Sequence, residues 1–503
     1  MSLRAKLTLG TATAASLLLL AGTATAAQPG APGIGDPYYP NAGNGGYDVS
    51  HYDIRLSYRP ADDVLSGTTT ILARTTQDLS RFNLDFLLEV SSVRVNNKVA
   101  GFSQSGGELV VDPRGTLRGG TDATIVVTYS GVPSTHAVDG YTAWKRTPDG
   151  ALAIDQPDIA PWWFPSNNHP TDKAKFDVSV AVPAGVEVIS NGTFGGTAQQ
   201  PNGLTRWRYR SAQPQATYLA FIAIGQFEIR QSTAPNGQPV LNAYSERLGA
   251  DYGASVASIE RTPEVTEFLE QSFGPYPFEA QGGVATPGIG FALENQTRST
   301  YDAAFFRRGA NTYVVAHEVA HQWFGDSVSV NGWKDIWLNE GFASYAEFLW
   351  SEHQGEGTAQ ENADYLYSLY PADDPFWQVL PGDPGAANQF DAAVYDRGAL
   401  AVHALRAEIG DEAFFTLLKK WVTKHRNGDA AVEDFIALAE KVSGQQLDAL
   451  FQTWLFTPEK PASAPGAAGV SAKAATTAAT AVAEPKSFKK MRETHELLAG
   501  HQH

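Results

Sequence analysis

The run His317-Glu318-Val319-Ala320-His321, followed after eighteen intervening residues by Glu340, is the pattern that most constrains what this chain can fold into. Four-residue spacing stacks two imidazoles on one face of a helix, one turn apart, so both can reach one metal ion. The segment Trp337-Leu338-Asn339-Glu340-Gly341-Phe342-Ala343 then brings a carboxylate from a following helix as third ligand. Three ligands from His317, His321 and Glu340 leave a fourth position for water or substrate, as in catalytic rather than structural zinc sites. Glu318 sits one residue round the helix, where its carboxylate can approach metal-bound water without being a ligand, the placement of a general base. An isolated H-E-x-x-H also arises by chance on polar helix faces, but a second match in order and at this spacing weighs against chance. One zinc ion per chain is the expectation.

A chain of 503 residues is comfortable for two domains, each with its own core. Residues 28–46 form a Pro/Gly-rich lead-in. Beyond it, Tyr52, Ile54, Leu56 and Tyr58 alternate with Asp53, Arg55 and Ser57, and Phe176, Val178, Val180 and Val182 alternate with Asp177, Ser179 and Ala181. Such period-two patterns predict half-buried strands. With further apolar runs at 124–129, 185–190 and 218–224, residues 47–232 read as an all-β sandwich without long helices. Past residue 232 the spacing turns helical, at 258–273, 311–324 and through most of 338–456, so 233–460 reads as a mainly α-helical catalytic domain. The fold class is thus α+β and multidomain.

The ends of the chain read differently. Arg4 and Lys6, a mostly apolar or small stretch over 7–20, and Ala24-Thr25-Ala26 make residues 1–27 an expected secretory signal peptide, interrupted by too many hydroxyls for a membrane span. The mature protein would be secreted, without stable membrane association. There is no Cys, which excludes disulfides, thiolate ligands and lipid attachment at cysteine, leaving imidazole and carboxylate to hold metal. Loss of Arg4 and Lys6 takes the formal charge from -17 to -19, which gives no support to nucleic-acid binding. Residues 461–503 are expected to be a low-complexity, disordered tail, because 460–485 is rich in Ala, Thr, Ser and Pro. Residues 486–503 can form a helix, and His501 and His503 can take stray metal, but composition favours a solvated tail.

The metal motif resembles that of the gluzincins. Together with Gly290-Phe291-Ala292-Leu293-Glu294-Asn295 upstream and Val394-Tyr395-Asp396-Arg397-Gly398-Ala399 downstream, it resembles the aminopeptidase N family of zinc exopeptidases. The stretch 162–170, Trp-Trp-Phe-Pro-Ser-Asn-Asn-His-Pro, is similar to bacterial members, and Leu450, Phe451 and Trp454 resemble the closing helix of their thermolysin-like domain. The resemblance runs from about residue 47 to 461. It implies a β-rich first domain and a thermolysin-like catalytic domain, and the large helical final domain that members often carry is expected to be missing here, since too little sequence follows Pro461 to build it. It implies too that Glu294 binds the substrate α-amino group, that the backbone from Gly290 to Ala292 aligns the peptide, and that Tyr395 donates to the oxyanion. Phe291 and Leu293 depart from the family's usual glycine and methionine.

A glutamine and an acidic residue from the first domain usually assist amine binding, which makes Gln156 and Asp158 candidates, although either can simply close a turn. Asp335 is a candidate to orient a ligand histidine. The activity implied is removal of the N-terminal residue from peptides with a free amino terminus. A thermolysin-like endopeptidase, an epoxide hydrolase and a non-catalytic peptide-binding module remain as alternatives. The endopeptidase gains nothing from an ammonium-binding carboxylate, and the module has no use for Glu318 and Tyr395.

Overall fold

The computed structural model describes residues 26–138, 140–466 and 482–499. Apart from Ala26 and Ala27, the expected signal peptide lies outside the described residues, as do His501 and His503. Among the described residues no helix is long and apolar enough to cross a membrane.

The alternating segments become strands whose apolar faces turn inward. Tyr47–Arg59 and Ala174–Pro183 lie side by side, parallel, at the centre of an eight-stranded sheet. Two four-stranded sheets complete this β-rich unit. Its core is aromatic: Tyr52 stacks on Phe176 at 5.0 Å between centroids, and Phe164 meets Trp163 edge-on at 4.5 Å. Only short 3-10 turns interrupt it before residue 225. The lead-in is tied down, with Gln28–Pro29 paired parallel to Leu79–Asp85.

The second unit differs from the sequence reading in two respects. It opens on a five-stranded sheet, in the order Phe227–Thr233, Pro239–Ser245, Gly283–Thr286, Ser299–Asp302 and Ala292–Leu293. The boundary expected near 232 therefore falls inside this sheet, because Phe227–Thr233 hydrogen-bonds to Pro239–Ser245 rather than to the first unit. Most of these strands are buried on both faces, so they carry no alternation for a period-two pattern to reveal.

Ten helices follow among the described residues: α1 Tyr252–Ile259, α2 Thr262–Phe273, α3 Thr312–Ala320, α4 Trp337–Gln354, α5 Ala359–Leu369, α6 Ala392–Ile409, α7 Asp411–His425, α8 Val432–Ser443, α9 Asp448–Leu455 and α10 Phe488–Leu498. The helix expected over 258–273 is α2, which starts only at Thr262 with Pro263 in its first turn, while residues 258–259 close α1. Helices α4 and α6 approach so closely that a Cβ on Gly398 would lie 2.9 Å from the Gly341 Cα, which is why both are glycine.

The tail is a correction. One face of residues 488–498 is packed rather than solvated: α10 buries Phe488, Met491 and Leu498 against the helical unit, and Asn311 donates to the Thr494 hydroxyl at 3.0 Å. Low complexity ends before it, and the burial of three large apolar side chains offsets the entropy of ordering a short helix.

Polar contacts join the two units. Lys173, the lysine following the Trp-Trp-Phe-Pro motif, donates to the carbonyls of Asp326 at 2.6 Å and Ser327 at 3.0 Å. Asp36 of the lead-in accepts from the Trp333 amide at 2.9 Å, and Tyr38 donates to Asp383 at 2.5 Å.

Candidate active site

Asn311 caps α3, its side chain accepting from the Tyr313 amide, and the helix carries His317 and Glu318 on its last turn. His321 follows with helical backbone angles (φ -58°, ψ -24°), so the one-turn spacing holds although α3 ends at Ala320. Glu340 projects from the first turn of α4. The Glu340 Oε2 atom lies 3.3 Å from Nε2 of His317 and 3.3 Å from Nε2 of His321. Tetrahedral zinc with bonds of about 2.0–2.2 Å spaces its ligand atoms about 3.3–3.6 Å apart, so both carboxylate–imidazole spacings match that ion.

The ring orientations agree. His317 Nδ1 donates to Glu347 Oε1 at 2.9 Å, and His321 Nδ1 donates to the Phe324 carbonyl at 3.0 Å, which turns both Nε2 lone pairs toward Glu340. All of these groups are buried. Asp335 does not take the orienting role foreseen for it, since the Nδ1 atoms of both histidines are bonded elsewhere, to Glu347 and to the Phe324 carbonyl. The residue that orients His317 is Glu347, absent from the sequence reading. Its signal was available: it lies two turns beyond Glu340 on the same face of α4.

Among the described residues, the buried Oε1 atom of Glu318 has no hydrogen-bond partner. Burial pushes its carboxyl up to about 8, His317 and His321 opposing and Glu294 and Glu340 adding. For Glu340, burial works upward too, but the two imidazoles outweigh it and hold the carboxyl low, at about 2. Tyr395, on the first turn of α6, packs beside the His317 ring at 6.0 Å and 26°. Burial, reinforced by the charges of Glu340, Glu294 and Glu318, pushes its hydroxyl well above the ordinary tyrosine range, so it stays protonated and able to donate.

Glu294 comes from the turn after the sheet-edge strand Ala292–Leu293 and, with Glu318 and His321, places ligand-type atoms within 4.8 Å of one another. Two donors reach its Oε1: Gln156 Nε2 at 3.3 Å and the Tyr218 hydroxyl at 3.2 Å. Gln322 fixes the Glu294 backbone by donating to its carbonyl at 2.9 Å. Burial raises the Glu294 carboxyl, with Glu340 adding and His321 and Tyr218 opposing. Tyr218 was not foreseen, and nothing local in the sequence marks it. Of the two first-domain candidates, the fold brings Gln156 to Glu294 and turns Asp158 to Asn168, whose side-chain amide donates to it at 2.7 Å. The Gly290 amide, at φ +94°, is committed to Asp302 at 2.8 Å, along with those of Gly288 and Ile289. Ala292 sits on an outer strand of its sheet, where an extended peptide can pair.

Comparison with known proteins follows the same outline. Residues 49–219 match the Peptidase M1 N-terminal domain, and residues 257–454 match the Peptidase family M1 domain. The fold is similar to that of an M1 zinc metallopeptidase from Deinococcus radiodurans, with a TM-score of 0.78 and 30% identity, covering 86% of this chain and 99% of that one. A mutant of that metallopeptidase bound to a Tyr-Ser-Ala substrate aligns equally well, at a TM-score of 0.78 and 30% identity. Curated relatives include a glutamyl aminopeptidase from Bitis rhinoceros, 28% identical over 58% of this chain and 32% of its own length. An aminopeptidase M1-B from Oryza sativa subsp. japonica is 29% identical over 58% of this chain and 35% of its own length. The chain spans about a third of the length of these curated relatives.

Proposed function

Because the chain belongs to peptidase family M1, we propose that it is a zinc aminopeptidase that removes the N-terminal residue from peptides with a free amino terminus. The observation that carries this reading is the buried Glu294 carboxylate, held by Gln156 and Tyr218 and adjoining the general base and a ligand histidine. An ammonium group entering that pocket regains in charge-assisted hydrogen bonds what it loses in hydration. An endopeptidase would have no use for a desolvated carboxylate there.

His317, His321 and Glu340 would hold one zinc ion, which when bound supplies a Lewis acid that acidifies water and polarises the scissile carbonyl. Glu294, aided by Gln156, fixes the substrate amine, and so sets which peptide bond lies over the site. The outer edge of Ala292–Leu293 aligns the peptide backbone. Glu318 takes the proton of the attacking water and passes it to the leaving amine. Tyr395 donates to the oxygen that gains charge as the carbonyl carbon becomes tetrahedral. Gly290 contributes less than the resemblance implies, its amide being committed to Asp302. Asp158 supports the first-domain wall through Asn168.

Matched peptides with free and N-acetylated termini, assayed on a sample of measured zinc content, test the reading. Cleavage restricted to the free peptides is expected, and efficient internal cleavage of a blocked peptide would sink it. Export with cleavage after residue 26 or 27 is part of the same proposal, supported by Arg4, Lys6 and the apolar stretch that follows. Mass spectrometry of the secreted protein decides it, and retention of Met1 would remove it.

A further inference from the structure

His495, near the end of α10, stands between two carboxylates of the catalytic unit. Its Nε2 lies 2.7 Å from Glu347 Oε1 and its Nδ1 lies 2.5 Å from Asp396 Oδ1. A carboxylate only accepts, so both ring nitrogens donate. The Glu347 oxygen that holds this ring is the one that accepts from the zinc-ligand candidate His317 at 2.9 Å. Asp396 adjoins Tyr395 on α6, and its other oxygen accepts from the Tyr370 hydroxyl at 3.1 Å. The imidazole of His495 therefore spans from the group that orients His317 to the turn that carries the oxyanion donor, and its ring centroid lies 6.1 Å from that of His317 and 6.3 Å from that of Tyr395.

The attachment of α10 is specific. Besides the Asn311 bond to Thr494, Lys490 Nζ donates to the Arg308 carbonyl at 3.0 Å and Arg308 pairs with Glu493 at 3.1 Å, which ties the helix to the chain entering α3. Ser487 donates to Asn362 at 3.1 Å and fixes its start. Three elements that carry site residues, α3, α4 and α6, are thus touched by one short helix at the end of the chain.

We propose that α10 is a working part of the catalytic centre and that His495 is its positioning residue, holding Glu347 against His317 and the Tyr395 turn against both. The proposal rests on the zinc site described above. Without His495, Glu347 keeps one donor in place of two and is free to turn away from His317, which loosens the ring that presents Nε2.

Zinc affinity, measured by chelator competition on the full-length protein, separates this proposal from the reading it rests on: wild-type protein that binds no zinc refutes that reading, whatever His495 does. Partners one step removed from a metal typically account for 10- to 100-fold in affinity or activity, so His495→Gln is expected to weaken zinc by about tenfold and to lower kcat with KM changed less than about twofold. The visible spectrum of the cobalt-substituted variant should shift as His317 loses its fixed orientation. In a Glu347→Gln background the same substitution should add less than about twofold, because the two residues act in series.

Met491→Ala controls for packing. It removes a buried side chain of the same helix and should lower thermal stability while zinc affinity and cobalt spectrum hold. An equal loss of zinc in Met491→Ala and His495→Gln would overturn the proposal, as would unchanged zinc affinity in a folded His495→Gln. Should His495→Gln fail to fold, Asp396→Asn reaches the same ring from α6, and unchanged zinc affinity there overturns the proposal equally.

Discussion

Gln156 Nε2 approaches Glu294 Oε1 at 3.3 Å across the boundary between the β-rich unit and the catalytic unit. In the proposed reading, neither unit alone makes the amine site. The fixed interface around Lys173 and Asp36 is therefore a condition of specificity as well as of stability, since a shift of one ångström between the units would part the pair.

Glu318→Gln keeps the volume of the side chain and removes its basicity. Turnover should fall by about 10²- to 10⁴-fold, the usual share of a general base. Zinc stoichiometry should hold, because Glu318 lies outside the three-donor set, and thermal stability should not decline, because burial already disfavours its charge. Metal analysis beside kcat checks both, and loss of zinc with activity restored on reloading would exchange the roles of base and ligand.

Tyr395→Phe deletes one hydroxyl and leaves the ring beside His317. If the hydroxyl serves the oxyanion, kcat should drop by about 2.7–4 kcal/mol in activation free energy, with zinc content and melting temperature unchanged. Normal kcat would make Tyr395 a packing residue.

His403 sets a pH limit on stability. It is buried on α6, bonded to Tyr345 at 3.0 Å and Gln360 at 3.2 Å, and burial, with Arg406 adding, pushes its imidazole from 6.5 down to about 4. Its folded value lies below its unfolded one, so the unfolded chain binds the proton first as pH falls. The contribution is complete above pH 6.5 and lost as pH falls through 4, about 3 kcal/mol over the window. Denaturant unfolding of the wild type and His403→Gln, compared from pH 7.5 to 4, should show the wild type losing the larger share. Parallel curves would refute the assignment.

What the sequence disclosed follows from distance along the chain. His317, His321 and Glu340 are legible because helix geometry alone converts their spacing into proximity. Glu347 obeys the same geometry at two turns from Glu340 and was legible in principle. Tyr218 and Gln156 meet Glu294 only through pairing between residues far apart in sequence, which no local period encodes. Of Gln156 and Asp158, Gln156 meets Glu294, while Asp158 accepts from Asn168 of the stretch 162–170. The five-stranded sheet escaped because strands buried on both faces do not alternate. His495 escaped because the Ala-rich stretch ahead of it outweighed the helical spacing of Phe488, Met491, His495 and Leu498.

In the proposed reading, Glu294 separates removal of terminal residues from internal cleavage. Its carboxylate is buried, takes two hydrogen bonds and stands beside Glu318 and His321, so the charge of an incoming ammonium meets it in a medium where pairing is strong. Hydrogen bonds to charged groups contribute about 1.5–3 kcal/mol, and neutral ones about 0.5–1.5 kcal/mol. Glu294→Gln should thus lower kcat/KM for aminoacyl anilides by the larger amount. Gln156→Ala, which keeps the carboxylate and its bond from Tyr218, should cost less than Glu294→Gln. Zinc content should be unchanged in both, because neither residue belongs to the set formed by His317, His321 and Glu340. Acetylated anilides, already poor substrates, should lose little further activity in Glu294→Gln, so the ratio of free to blocked rates should collapse toward one. If that ratio stays at its wild-type value, Glu294 does not read the amine, and the pocket beside the metal site has another purpose.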